Sequence, residues 1–99
     1  MIKSEDISRI LEAARIEDVV GVFVPLKKRG ANFIGLCPFH DEKTPSFNVN
    51  PARGIFKCFG CGEGGDSVAF LMKHQHYTYP EALRWLAERY HIQIEEKEE

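Results

Sequence analysis

The sequence predicts an α+β fold: a small antiparallel sheet ending in metal knuckles, a zinc ribbon, with helices packed on or beside it. Three observations predict it. First, Cys37 and His40, then Cys58 and Cys61, read as C-x2-H, a gap of seventeen residues, and C-x2-C. Two donors three apart on each of two tight turns can place four ligands at the corners of a tetrahedron, as a closed structural Zn²⁺ site requires. Second, short strand-like runs separated by turn residues surround the knuckles, and capped helical patterns lie on either side. Third, a chain of 99 residues is near the size at which an apolar core alone is marginal and a metal staple becomes useful.

The elements follow in order. Ser4 is expected to cap a first helix, with Glu5 and Asp6 in its opening turn, where the helix dipole favours acidic groups. Ile7, Ile10, Leu11 and Ala14 then fall on one face, and residues 16–20 add a further turn before Gly21. Val22, Val24 and Leu26 alternate with Phe23, Pro25 and Lys27, the pattern of an edge strand that tolerates proline. Residues 27–31 read as a basic turn, and Asn32 to Leu36 as a strand entering the first knuckle. Pro45 to Asn50 and Ile55 to Lys57 form a hairpin across Pro51-Ala52-Arg53-Gly54, and its second strand runs into Cys58.

Beyond the second knuckle, Asp66 or Ser67 caps a helix ending near His76. Thr78-Tyr79-Pro80-Glu81 is a capping box for another, with Ala82, Leu83, Leu86, Ala87 and Tyr90 on one side. The apolar stripes of these helices have ordinary core spacing. One domain is expected over residues 1–94, followed by an acidic tail, Glu95 to Glu99, expected to be disordered.

Composition narrows the function. Three cysteines are an odd number, all used by the knuckles, which argues against a disulfide framework. A C-x-x-C alone suits a redox dithiol, but that motif has no need of a matching C-x-x-H. No apolar run is long enough for a signal peptide or a membrane span. A reduced, cytoplasmic setting without a membrane partner is expected. With four protein ligands there is no open coordination position for water, which argues against hydrolytic zinc chemistry. Clustered carboxylates and a nucleotide-binding glycine loop are also missing as sets, so no catalytic residue is assigned and the chain is not expected to be a catalyst alone.

The net charge of −2 conceals an uneven distribution. Residues 27–57 hold six basic and two acidic groups, whereas the segments on either side are net acidic. This basic stretch interleaves Lys27, Lys28, Arg29, Lys43, Arg53 and Lys57 with Phe33, Phe47, Phe56 and Phe59. Aromatics that stack bases beside cations that hold phosphates make a surface for single-stranded nucleic acid. Against this stands the plainer reading of a solvated charged face, and at least two of the four phenylalanines are expected to fill the core. On the strand at 45–50, Phe47 and Val49 oppose Ser46, Asn48 and Asn50, so one face is apolar and the other offers amides and hydroxyls.

Cys37-Pro38-Phe39-His40-Asp41-Glu42-Lys43-Thr44-Pro45-Ser46-Phe47, followed by Phe56-Lys57-Cys58-Phe59-Gly60-Cys61-Gly62, resembles the N-terminal zinc-binding domain of bacterial DnaG-type DNA primases. The flanking residues 26–33, Gly64-Gly65-Asp66 and the helix with Glu81-Ala82 extend the likeness from about Ile7 to Ile94. The resemblance implies one structural zinc on Cys37, His40, Cys58 and Cys61. It also implies a module that holds a single-stranded DNA template and helps select where an RNA primer starts, mapped to Lys27, Arg29, Lys43, Phe47 and Lys57. Polymerisation would belong to a separate nucleotidyltransferase domain acting in cis or in trans, where Mg²⁺ is expected. A replicative helicase would be contacted through the full-length protein. The chain is thus expected to be an isolated domain or fragment of a longer enzyme. The alternative is a zinc ribbon that docks proteins without touching nucleic acid, since the fold alone does not decide function.

Overall fold

The computed structural model describes residues 2–41 and 43–94. The acidic tail at 95–99 lies outside the described residues. Nine elements follow one another: α1 (Ser4–Ala13), α2 (Ile16–Phe23), β1 (Lys27–Arg29), β2 (Asn32–Gly35), β3 (Phe47–Asn50), β4 (Ile55–Cys58), β5 (Gly64–Gly65), α3 (Ser67–His74) and α4 (Tyr79–Arg89). The strands form one antiparallel sheet whose spatial order is the sequence order, β1 to β5. The α+β ribbon with packed helices is therefore present, as the sequence predicts.

The N-terminal third differs from expectation. Ser4 is the first residue of α1, and Lys3 occupies the cap position without capping the helix through its side chain. The chain then breaks at Ala14 and Arg15, and α2 continues through Gly21 to Phe23. Val22 to Leu26 is consequently not an edge strand. Ile16, Val19, Val20 and Phe23 recur at helical spacing, and the first three are buried. That packing outweighs the strand-like alternation of the valines. The basic turn is in fact β1, whose three exposed residues pair with β2, leaving the turn itself to Gly30 and Ala31.

Elsewhere the local chemistry holds. The β3–β4 turn closes with Gly54 at φ 68°, while the Asn50 carboxamide oxygen accepts from the Arg53 N–H. Asp66 caps α3 by accepting from the Ala69 N–H at 2.9 Å. Thr78 and Glu81 form a reciprocal capping box on α4. His76 and His91 follow α3 and α4 with positive φ, in the left-handed bend that often ends a helix.

The core is one cluster shared by sheet and helices. In the sheet, Phe47 lies opposite Cys58 and Val49 opposite Phe56; directly opposed residues share a face, and all four are buried. Phe47 and Phe56 stack at 5.4 Å between ring centroids, and Phe70 of α3 meets Phe56 edge-on at 5.6 Å. Phe39, from the first knuckle, sits against Phe47, Phe56 and Phe70. The metal-binding end is thereby packed into the core.

Candidate metal centre and the sheet face beside it

The sheet delivers the ligands in two pairs. β2 ends at Gly35, and two residues later Cys37 begins the first knuckle. β4 ends on Cys58 itself, level with Phe47 of β3. Cys37, His40, Cys58 and Cys61 converge with their donor atoms all within 4.8 Å of one another. Cys37 Sγ lies 3.8 Å from Cys61 Sγ, and Cys58 Sγ lies 3.9 Å from His40 Nδ1. A tetrahedron with Zn–S of about 2.3 Å and Zn–N of about 2.0 Å has S–S edges of about 3.8 Å and S–N edges of about 3.5 Å. The donor set fits zinc in both chemistry and spacing.

Backbone and hydroxyl groups support the sulfurs. The Phe39 N–H points at Cys37 Sγ at 3.4 Å, and Ser46 Oγ lies 3.5 Å from Cys58 Sγ. The second knuckle is closed by the Gly62 N–H donating to the Cys58 carbonyl at 2.9 Å, with Gly62 at φ 83°. Burial, with help from the neighbouring sulfurs, pushes the Cys37 thiol up to about 12. Burial also acts on Cys58, but hydrogen bonds from the Ser46 hydroxyl and the Cys61 N–H outweigh it and bring that thiol to about 7. Without metal, Cys37 therefore holds a proton that an incoming cation must displace.

A family model described as CHC2 zinc finger, a DnaG-type zinc ribbon, matches residues 2–99. The chain belongs to the CHC2 zinc finger family. This CHC2 domain is 56% identical over 89 residues to the DNA primase of Mycolicibacterium smegmatis, covering 89% of the chain and 14% of that protein. It is 47% identical over 94 residues to the DNA primase of Listeria innocua, covering 95% and 15%. In three dimensions it matches the crystal structure of the Aquifex aeolicus primase, zinc-binding and RNA polymerase domains. That match has a TM-score of 0.85 and 41% identity, and covers 96% of the chain and 23% of the solved one. The CHC2 domain thus spans about a seventh of the length of the curated primases it matches, and it is a primase-type zinc-binding domain.

The remaining sequence-predicted residues divide. Lys27 lies opposite Ile34, and Ile34 in turn lies opposite Asn48, which lies opposite Lys57. Those residues form one row across the outer face of the sheet. Arg29 lies opposite Asn32 on the same face. Lys43 is exposed on the loop three residues beyond His40. Phe47 is a correction: it is 0% exposed, stacked on Phe56 beneath Cys58, and no base can reach it. Its place on the alternating strand puts it with Val49, on the core side. The exposed phenylalanine is Phe59, 72% accessible, at the centre of the CHC2 domain's second knuckle. Among the four phenylalanines, Phe56 and Phe47 are core and Phe33 is half-buried. The signal for Phe59 was its position inside C-x-x-C, where the flanking sulfurs turn inward to the metal and the residue between them turns out. His74, His76 and His91 are not part of the metal cluster, and His74 stacks on Phe70 at 5.1 Å. Among the described residues, no helix is long and apolar enough to cross a membrane.

Proposed function

We propose that this domain binds the single-stranded DNA template across the outer face of its sheet and helps select the start site for RNA primer synthesis. The observation that carries the reading is the charge of that face. Lys27, Arg29 and Lys57 stand on it, Arg53 stands at its hairpin turn, and among the described residues no carboxylate lines the groove that Arg53 and Lys57 flank. Lys43 adds an exposed cation on the loop three residues beyond His40. Such a surface attracts a polyanion through phosphate contacts.

The metal, when bound, supplies cross-linking between two hairpins, with all four positions filled by protein. The side chains do the rest. Lys57 immediately precedes Cys58 and Lys43 follows His40 by three residues, so the knuckles fix both cations relative to the sheet. Primer initiation joins two nucleotides with little base pairing to hold them. A template-binding module tethered near a polymerase domain raises the local concentration of single strand there. Polymerisation, with its Mg²⁺, would reside in that separate domain, in cis or in trans, and a helicase would be met through the longer protein. Thiolate ligation suits a cytoplasmic, reducing setting.

The test is a titration with a short single-stranded oligodeoxynucleotide, followed by backbone-amide NMR at several salt concentrations. Shifts should gather on β1 to β4, with binding weakening as salt rises by about 0.7 in log–log slope per phosphate contact. Lys43→Ala should reduce that slope without releasing zinc. Shifts gathered on α4 instead, or no binding at low salt, would favour protein docking.

A further inference from the structure

We infer that the groove beside the second knuckle is a seat for one unpaired nucleobase, with Phe59 as its stacking wall and Asn48 as its reading group. The inference rests on the single-strand reading above and goes beyond it by assigning base contacts to residues that are not cations. The groove runs over β3, β4 and β5 and encloses about 630 Å³, within the range of small-ligand sites. Four features point to a base.

Phe59 is 72% exposed although its backbone is held on the N-terminal side. Its N–H donates to the Ser46 carbonyl at 3.0 Å, and its chain neighbour Cys58 is a metal ligand with 0% exposure. An aromatic ring on a rigid mount loses little conformational freedom when a flat partner stacks on it. Opposite, β5 offers Gly64, across from Lys57 in the ladder. A Cβ at Gly64 would stand 3.0 Å from the Phe56 carbonyl oxygen and 3.3 Å from Lys57 Cδ, so any side chain there would crowd the ladder, and glycine keeps the floor open.

Asn48 lies on the floor directly opposite Lys57, and its carboxamide has no intramolecular partner among the described residues. A free carboxamide presents one acceptor and two donors side by side, the pattern that matches the edge of an unpaired base. Asn50, by contrast, spends its oxygen on the Arg53 N–H and shapes the turn. Lys57 and Arg53 flank the groove, and the Lys57 ammonium already reaches the Gly62 carbonyl at 3.4 Å, which holds it over the β5 side. An apolar wall, a hydrogen-bonding floor and a cationic rim with no carboxylate among the described residues suit a nucleotide better than an apolar peptide.

The experiment pairs protein and nucleic-acid changes. Wild type and Phe59→Ala are titrated with short single strands of each base type, and with the same strands carrying one abasic spacer, with zinc content measured on both proteins. Phe59→Ala should keep its zinc and its salt slope yet bind intact strands roughly ten- to a hundredfold more weakly, the usual cost of losing one base stack. The spacer should weaken wild type similarly and the variant hardly at all. Phe59→Trp should restore binding, and the introduced indole should lose emission on contact with the base. Asn48→Ala should flatten the preference among base types while leaving the salt slope unchanged. Normal affinity of zinc-loaded Phe59→Ala for every strand would overturn the base seat while leaving phosphate-driven template binding intact. Loss of binding to a primase polymerase domain, with strand affinity unchanged, would overturn it in favour of a protein contact. No strand binding by wild type at low salt would instead overturn the reading beneath it.

Discussion

Gly60 sits where any side chain would collide with a metal ligand. A Cβ there would lie 2.8 Å from Ser46 Oγ and 2.9 Å from His40 Nε2. The imidazole can turn Nδ1 toward the sulfurs only because the knuckle leaves it that space. Gly60→Ala replaces no ligand, yet its methyl would press on the His40 ring and should lower zinc affinity by about 10–100-fold, the range typical of groups that orient ligands; a chelator competition measures this. Proton competition is a second residue-scale expectation. With Cys37 at about 12 and Cys58 at about 7 in the metal-free site, zinc uptake releases the Cys37 proton across the neutral range and the Cys58 proton below about 7. Apparent affinity should therefore rise with pH, by about tenfold per unit for each proton displaced, and more steeply in mild acid. A pH-independent affinity would contradict this assignment of protons.

At the scale of elements, α2 and α4 are tied by one polar junction. Asp18 accepts from Arg89 Nε and a terminal Arg89 nitrogen, each at 2.8 Å, and from the Tyr90 hydroxyl at 2.7 Å; that hydroxyl in turn accepts from the Arg15 N–H. The Arg89 hydrogen bonds hold the Asp18 carboxyl below its ordinary range. A depressed native pKa means that the ionised form favours the fold. Its contribution is complete above the ordinary carboxylate range and disappears as pH falls through the lowered native value. Because both side chains are partly exposed, Asp18→Asn should cost only about 0.5–1 kcal/mol at neutral pH. The gap should close in acid, as urea denaturation at both pH values would reveal. The same junction explains part of what the sequence hid. The break between α1 and α2 at Ala14 and Arg15 carries no proline or glycine, and what marks it is a bond from Arg15 to a tyrosine far along the chain. β1 and β5 were illegible for another reason: three basic residues and two glycines carry no apolar alternation, and only pairing with a neighbour makes them strands. The hairpin at Pro51 to Gly54, the α4 capping box and the four metal ligands were legible because each depends on residues within a few positions. Phe47 was misjudged as an interface residue since stacking on a base and stacking on Phe56 demand the same side chain.

For the molecule as a whole, the metal site is not an appendage. Cys37 and Cys58 belong to the same buried cluster as the helix residues Ile10, Leu71 and Leu86, and Phe39 carries the first knuckle into the aromatic core. Removing zinc with a chelator should therefore lower the thermal midpoint of helices and sheet together, in a single transition by circular dichroism. Two separate transitions would show that the helices stand without the ribbon. The order of the strands has one further consequence, for how the chain finds its fold. Each strand pairs with its neighbour in sequence, so the sheet closes through connections far shorter than the 71 residues that the Asp18–Arg89 contact spans. Loop-closure entropy penalises that long contact most. Hairpins and knuckles should thus be in place at the folding barrier, with the helical ends joining on the downhill side. Asp18→Asn should then speed unfolding in stopped-flow measurements and leave the refolding rate nearly unchanged: the surface proposed to meet the template assembles first, and the chain's two ends meet last.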